Sequence, residues 1–202
     1  MSLDTAIARL QSLQTLLQPQ PVPPPTPTTM ASFSSQLQGA GGATLAAVPT
    51  ATTSQAGTPA GQAILNAIRS EVGVAEQPPG SNDSPRIAQY RQATAGSGVG
   101  PWCAYFVSWA ARQAGVPLGD SGQGFGRVDD VFAWAQKTGK ALPAGSTPSA
   151  GDLIVWDEHI GVIESVDPDG TIHTIEGNSS DKVSQRTYGR DGGGAVGYVR
   201  LG

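Results

Sequence analysis

The apolar residues change from a helical period to an alternating one at about residue 150. Before that point they recur at steps of three and four residues in four segments, which predict helices at about 59–72, 87–92, 102–114 and 129–138. Thr58 and Gly115 are start and stop signals for the first and third of these helices. After Ala150, short β-branched segments predict strands at 153–156, 159–166, 171–176, 183–188 and 195–201. Helices followed by a meandering antiparallel sheet form an α+β domain.

Residues 1–60 differ in composition from the rest of the chain. They hold eight of the sixteen prolines but only two charged residues, Asp4 and Arg9. Apolar residues at helical steps predict a short amphipathic helix at 1–18. The Pro-rich run and the Ala, Gly, Ser and Thr residues that follow predict a disordered linker at 19–60. We therefore expect one folded domain at 61–202.

Two interpretations of residues 1–18 stay open. The segment is either a marginal helix that frays in water or a docking and targeting segment on a flexible tether. It lacks the basic start and the cleavage site of a secretory signal peptide. No stretch of the chain reaches eighteen consecutive apolar residues, so we expect no membrane insertion. The net charge of −4 argues against a nucleic-acid partner.

The chain has one cysteine, Cys103, which excludes an intramolecular disulfide and a zinc site made of several thiolates. Cys103 falls in the first turn of the third predicted helix, where free backbone N–H groups and the helix dipole favour a thiolate. It also lies on the apolar face of that helix, so a buried core thiol is the alternative. A thiol nucleophile needs a base, for which the two histidines, His159 and His173, are the candidates.

Strand parity favours His159 as the base. A base needs an orienting group, and Glu176 and Asn178 lie two residues apart, on one face of a strand. His173 is three residues from Glu176 and points to the opposite face. A two-residue loop in the turn at 167–170 would put His159 opposite Asn178, with Glu176 as its diagonal neighbour. A type I turn with a glycine bulge would shift this register by one residue, so both registers stay open.

Three segments of the chain resemble the CHAP domain, a cysteine- and histidine-dependent amidohydrolase/peptidase module. They are PWCAYFVSWAARQAGVPL from Pro101, SAGDLIVWDEHIGVIESV from Ser149 and IEGN from Ile175. The likeness extends from about residue 62 to residue 202. It implies a papain-like α+β fold, with helices packed on an antiparallel sheet, that cleaves amide bonds in bacterial peptidoglycan. The bond is either the muramoyl–L-alanine amide or a peptide bond.

The resemblance also implies the roles of individual residues. Cys103 is the nucleophile, His159 the general base and acid, and Glu176 the group that orients the histidine. Asn178 matches the family's second polar position, in orientation or substrate polarisation. The backbone N–H of Cys103 would supply one oxyanion donor, and Tyr90 is the candidate for the second.

We expect no cofactor and no metal. Asp167 and Asp169 are carboxylates of the kind that bind calcium, which some family members bind, but Asp-Pro-Asp-Gly lacks the remaining ligands and predicts a plain turn. Trp102, Trp109 and Trp134 fit either a sugar-binding groove or the core, and helical spacing favours the core for Trp109.

The segments MSLDTAIARLQSLQTLL and ASFSSQLQ, with the Pro/Thr spacer between them, resemble the leading parts of cell-wall hydrolases encoded with actinobacterial flagellar genes. This likeness implies action in the cell wall, periplasm or extracellular space after export without a cleavable signal. Residues 1–18 would then bind a flagellar or other export partner. A phage or secretion-system lysin with the same site, a non-catalytic wall-binding adaptor and a secreted protease for ordinary proteins are the alternatives.

Overall fold

The described part of the chain contains four α-helices followed by six strands. The computed structural model describes residues 57–202, so the predicted helix at 1–18 and the linker up to residue 56 lie outside it. The helices are α1 (Pro59–Ile68), α2 (Pro85–Arg91), α3 (Cys103–Gln113) and α4 (Val128–Lys137). The strands are β1 (Ala141–Pro143), β2 (Leu153–Val155), β3 (Ile160–Val166), β4 (Ile172–Glu176), β5 (Ser184–Tyr188) and β6 (Gly197–Val199). This order confirms the predicted α+β class.

Hydroxyl side chains begin the first two helices. Thr58 Oγ1 accepts from the N–H of Gly61 at 3.0 Å, and Ser84 Oγ accepts from the N–H of Ile87 at 3.2 Å. A proline follows each cap at the first helical position, where no N–H is needed. The prediction that α1 runs to residue 72 is wrong, because the chain tightens into a 3₁₀ turn after Ile68.

All six strands form one antiparallel sheet in the order β1-β6-β2-β3-β4-β5. Strand β1 was not predicted, because three residues give no measurable alternation, and it pairs with β6. The helices pack on one face of the sheet, where α3 lies against β3. A smaller apolar cluster covers the opposite face and consists of Ile154, Ile163, Ile172, Ala195 and Tyr198.

The β3–β4 register contains two shifts that cancel. At the turn, Asp167 pairs with Thr171 through an N–H to carbonyl bond of 2.8 Å, and Gly170 has a φ of +91°, as in a glycine bulge. A second irregularity lies between Ile163 and Ser165 and restores the earlier register, so that Val162 faces Ile175. The turn is therefore the bulged type, while the far end of the hairpin has the register of a two-residue loop.

The loop before β2 ties α1 and the C-terminal residues to the sheet. Gly151 has a φ of +86°, and a Cβ on it would lie 2.3 Å from the Cα of Gly61 in α1. The next residue, Asp152, is buried and accepts two bonds from Arg200, at 2.7 and 3.0 Å, and one from the N–H of Ser149 at 2.7 Å. This bidentate pair joins the start of β2 to the residue after β6.

Within the described residues, no helix combines the length and the apolar character needed to cross a bilayer.

We expect Asp152→Asn to lower the free energy of unfolding by about 2 kcal/mol, because it leaves the guanidinium of Arg200 without a charged partner. The loss is smaller than for a fully buried pair because the Arg200 side chain is 35% exposed. Urea unfolding of the full chain measures it. The control Lys137→Ala breaks an ion pair with Asp120 whose side chains are 74% and 64% exposed, and should change the free energy by no more than about 0.5 kcal/mol. Equal losses in the two variants would contradict the assignment.

Candidate active site

Cys103 is the first residue of α3 and is buried. The residue before it, Trp102, is the N-cap and provides no side-chain acceptor for the helix. The N–H groups of the first turn thus point out of the helix without a side-chain cap, and the positive end of the helix dipole lies at the thiol. This environment favours a negatively charged sulfur.

Trp102 fixes the start of α3 from the side of the core. Its indole N–H donates to Glu76 Oε1 at 2.9 Å, and Glu76 Oε2 accepts from the N–H of Asn82 at 2.8 Å. The indole stacks on Tyr90 with 5.9 Å between the ring centroids. Because both Trp102 and Glu76 are buried, the residue before the thiol has one fixed position.

Tyr90 does not supply a free hydroxyl to this region. The ring is fully buried, and its O–H donates to Glu71 Oε2 at 2.5 Å. Glu71 also forms a two-bond ion pair with Arg86, at 2.6 and 2.8 Å. Burial next to this carboxylate raises the pKa of Tyr90 above its ordinary value. Tyr90 is therefore a core residue, and the second oxyanion donor stays unassigned.

His159 lies at the tip of the β2–β3 hairpin, next to the exposed pair Asp157–Glu158. Its carbonyl accepts from the N–H of Trp156 at 2.9 Å, which closes the hairpin loop. The ring stacks on the Trp156 indole, with centroids 5.5 Å apart and an interplanar angle of 29°. Its Nε2 lies 2.9 Å from Glu176 Oε2, which leaves Nδ1 as the nitrogen that can exchange a proton with a nucleophile.

Glu176 is 1% exposed, yet both of its oxygens have partners. Oε2 is bound to His159, while Oε1 accepts from the hydroxyls of Thr174 at 2.5 Å and Tyr188 at 2.9 Å. Burial alone would raise the pKa of Glu176, but these donors outweigh it and lower the pKa below its ordinary value. The carboxylate is therefore ionised, and one of its oxygens is committed to the histidine.

The charge of His159 follows from its two neighbours. Burial alone would lower its pKa, but interactions with Cys103 and Glu176 outweigh burial and raise the pKa from 6.5 to about 9. At neutral pH the ring is consequently an imidazolium that lies between the Cys103 sulfur and the Glu176 carboxylate. The structure thus brings together three of the four residues selected from the sequence.

Two glycines provide the space for this arrangement. A Cβ on Gly161 would lie 2.6 Å from Glu176 Cγ, and a Cβ on Gly177 would lie 2.6 Å from Phe106 Cβ in α3. Gly161 therefore leaves room for the carboxylate side chain, and Gly177 lets α3, with Cys103 at its start, approach the end of β4.

Asn178, the fourth predicted residue, lies in the turn after β4 with a φ of +59°, a left-handed conformation that asparagine adopts more readily than most residues. The hydrogen bonds that hold Glu176, from His159, Thr174 and Tyr188, do not involve Asn178. The geometry explains the residue type at this turn, and the predicted role of Asn178 in orientation or polarisation stays a prediction.

The other residues with candidate chemistry lie elsewhere. His173 points to the opposite face of β4, where its Nε2 is 2.9 Å from Asp167 Oδ2, and this placement agrees with the parity argument. Asp169 accepts from the N–H of Thr171 within the predicted turn. Across residues 57–202, no group of three or more His, Cys, Asp or Glu side chains is arranged to hold a metal. Trp102 and Trp109 are buried core residues.

Sequence reasoning did not assign a role to Trp156, Thr174 or Tyr188. Thr174 carried a usable signal, since it is two residues from Glu176 on the same strand and must share its face. Tyr188 carried none, because its reach to Glu176 depends on the β4–β5 register, in which Ile172 faces Tyr188.

The thiol opens into a cleft of about 480 Å³. Its rim carries more acidic than basic groups, with Asp129, Asp157 and Glu158 against Arg127. The candidate nucleophile therefore faces a space that admits a substrate group. Because acidic side chains outnumber basic ones around this space, a negatively charged substrate group is disfavoured.

Residues 94–178 match the CHAP domain family. The matched segment includes Cys103, His159, Glu176 and Asn178, and it ends at the last of them. Tyr188, whose hydroxyl donates to the buried carboxylate of Glu176, lies outside the matched segment.

The chain is also similar to a solved structure, that of the peptidoglycan hydrolase RipB from Mycobacterium tuberculosis. The identity is 19%, the TM-score is 0.43, and the alignment covers 98% of this chain and 85% of that one. None of the curated proteins matches this chain.

We expect Tyr188→Phe to raise the pKa of His159 above about 9, because loss of the hydroxyl removes a donor that partly offsets the negative charge of Glu176, and the carboxylate then stabilises the imidazolium more strongly. An NMR titration of the two histidine rings measures this change, and the His173 resonances report from the other face of β4 as the internal reference. Thr187→Val, which removes the hydroxyl 3.2 Å from His173, is the matched control and should leave the His159 titration as in the wild type. An unchanged His159 titration in Tyr188→Phe would show that the hydroxyl does not support the site.

Proposed function

We propose that this protein is a cysteine-dependent hydrolase that cleaves an amide bond of peptidoglycan, either the muramoyl–L-alanine amide or a peptide bond. One observation carries the proposal. An ionised, buried carboxylate holds a histidine beside the only cysteine, at a helix start that opens into a cleft. A core thiol needs none of these neighbours, so the inert alternative leaves the arrangement unexplained. The substrate class comes from the CHAP family.

The chemistry is acyl transfer in two steps. The Cys103 sulfur attacks the amide carbonyl carbon, and the carbonyl oxygen takes up the negative charge beside the N–H of Cys103. His159 gives its proton to the departing amine, the C–N bond breaks, and a thioester is left on the sulfur. His159 then removes a proton from water, which attacks the thioester and releases the carboxylate product and the thiolate. Glu176 stabilises the imidazolium at each stage.

This activity assigns the protein to the bacterial cell wall, periplasm or extracellular space, with peptidoglycan as its partner. Within the proposal, residues 1–18 bind a flagellar or other export and assembly partner. That part rests on the resemblance of the N-terminal segment alone, because those residues lie outside the described part of the chain. Deletion of residues 1–56 with retention of hydrolysis and loss of localisation would support it.

Digestion of purified peptidoglycan tests the activity. We expect the wild-type chain to release soluble fragments, and Cys103→Ala to lower the rate by about 10³-fold or more, because no other thiol is present. His159→Ala should have a comparable effect, whereas His173→Ala, which alters the other histidine, should retain the wild-type rate. Mass analysis of the fragments separates a freed stem peptide from a cut stem.

Other results contradict the assignment. Equal digestion by wild type and Cys103→Ala would exclude the thiol mechanism. If the wild type releases nothing but pellets with the walls, the chain is a wall-binding adaptor instead.

The pH dependence of kcat gives a second test. His159 must be protonated to donate to the leaving amine, and its pKa is raised to about 9. We therefore expect kcat to stay high through neutral pH and to fall as the pH rises through about 9. Rates with a soluble muropeptide between pH 6 and 10.5 measure this limb. A decline already centred near 6.5 would mean that Cys103 and Glu176 do not raise the pKa of the working histidine.

A further inference from the structure

Helix α4 has a second face, partly apolar and partly polar, beside the one that it buries in the core. Its core face holds the buried residues Val128, Val131 and Ala135. Another set of residues recurs at steps of three, four and seven and lines an open cavity: Asp129, Phe132, Ala133 and Gln136. Because Phe132 is half-buried and Ala133 is exposed, this face is available to a ligand.

The cavity lies between this face of α4 and the hairpin that carries the candidate histidine. Val155, Trp156 and Asp157 form the opposite wall, and Val196, which is 45% exposed, lies at its edge. The cavity adjoins the Cys103 cleft, since Val128, Asp129 and Asp157 line both spaces. A substrate that presents a carbonyl to the thiol can therefore extend directly into it.

The volume and the lining restrict the occupant. The cavity holds about 240 Å³, the share of about eight water molecules, which suits one monosaccharide ring rather than two. Phe132 and Trp156 offer aromatic surface, while Asp129, Asp157 and Gln136 offer acceptors for hydroxyl and amide donors. No lysine, arginine or histidine lines the cavity. An anionic group of a stem peptide is therefore disfavoured, and a neutral ring with hydroxyl groups fits.

We propose that this cavity binds a neutral N-acetylated pyranose of the substrate, the muramoyl residue, and thereby presents its lactyl carbonyl to Cys103. The inference rests on the proposed function and deepens it, because it selects the muramoyl–L-alanine bond over bonds within the stem. The sulfur–carbon bond forms at the lactyl carbonyl as the bond to the L-alanine nitrogen breaks, and His159 protonates that nitrogen. Water then cleaves the thioester, so the products are a lactyl carboxylate and a free stem peptide.

The first experiment compares two substrates that share one stem peptide. One is the N-acetylmuramoyl peptide, and the other is the same peptide with an N-acetyl group in place of the sugar. We expect the wild-type chain to cleave the muramoyl peptide at the L-alanine amide, with kcat/KM at least roughly tenfold higher than for the sugar-free peptide. Equal rates, or cleavage within the stem, would overturn the sugar site while leaving the hydrolase function in place.

The second experiment fills the cavity. Ala133→Trp on α4 and Val196→Trp at the edge of the cavity each place an indole in the cavity and should lower kcat/KM for the muramoyl peptide by roughly tenfold or more, chiefly through KM. Gln113→Trp on α3, outside both spaces, is the matched control and should retain the wild-type value. Alkylation of Cys103 by iodoacetamide should keep its wild-type rate in all three variants, which shows that the nucleophile and the fold are intact. Unchanged KM in both cavity variants would overturn the proposal.

A binding measurement separates the two proposals. Cys103→Ala should bind N-acetylmuramoyl-L-alanyl-D-isoglutamine in calorimetry, and addition of Ala133→Trp should abolish the binding. Binding that the cavity variant abolishes, without hydrolysis by the wild type, would support the sugar site and contradict the enzyme. Hydrolysis of the sugar-free peptide without this binding would support the enzyme and contradict the sugar site.

Discussion

The buried carboxylate of Glu176 is the constraint on which the rest of the site depends. An ionised carboxylate removed from water is strongly unfavourable unless hydrogen-bond donors replace the lost hydration. Three donors do so here, and they come from the loop before β3, from β4 itself and from the end of β5. Three separate parts of the sheet must therefore align to within hydrogen-bond distance around one side chain. The pairing of the strands therefore determines whether Glu176 stays ionised, and through Glu176 it determines the charge of the candidate histidine.

The packing of α3 explains why a glycine follows Glu176 in the Glu-Gly-Asn sequence. Glu176 faces one side of the sheet, where Gly161 on the neighbouring strand leaves the space that its side chain fills. Gly177 faces the other side, where Phe106 of α3 occupies the position of a side chain. Alternation along a strand thus lets adjacent residues serve the two halves of the site, the carboxylate on one face and the approach of the cysteine helix on the other. Trp102, held by Glu76, fixes that helix along its own axis.

The sequence predicts most elements of the fold and three residues that meet in the site, whereas the contacts between strands depend on their register. The helices and five of the strands follow from apolar periodicity, and parity separated His159 from His173. The three residues of β1 are too few for a periodic signal, and apolar periodicity continues through the 3₁₀ turn that ends α1, so it did not mark the end of the helix. The hairpin register could not be deduced, because the turn sequence fixes only one of two opposing shifts. Tyr188 and Trp156 were missed for the same reason, since their contacts exist only in the final alignment of the strands.

The two register shifts in the β3–β4 hairpin determine which of its residues can be substituted without disturbing the site. The irregularity at Ile163–Ser165 separates the hairpin into two sections, a tip with its own pairing and a base that carries the chemistry. A change of one residue in the tip can be absorbed where the two sections meet, before it reaches Gly161 and Glu176. The turn at Asp167–Gly170 should therefore accept substitutions, an inserted residue or a grafted label. The paired residues at the other end of the hairpin, which include Gly161 and Glu176, should tolerate almost no substitution.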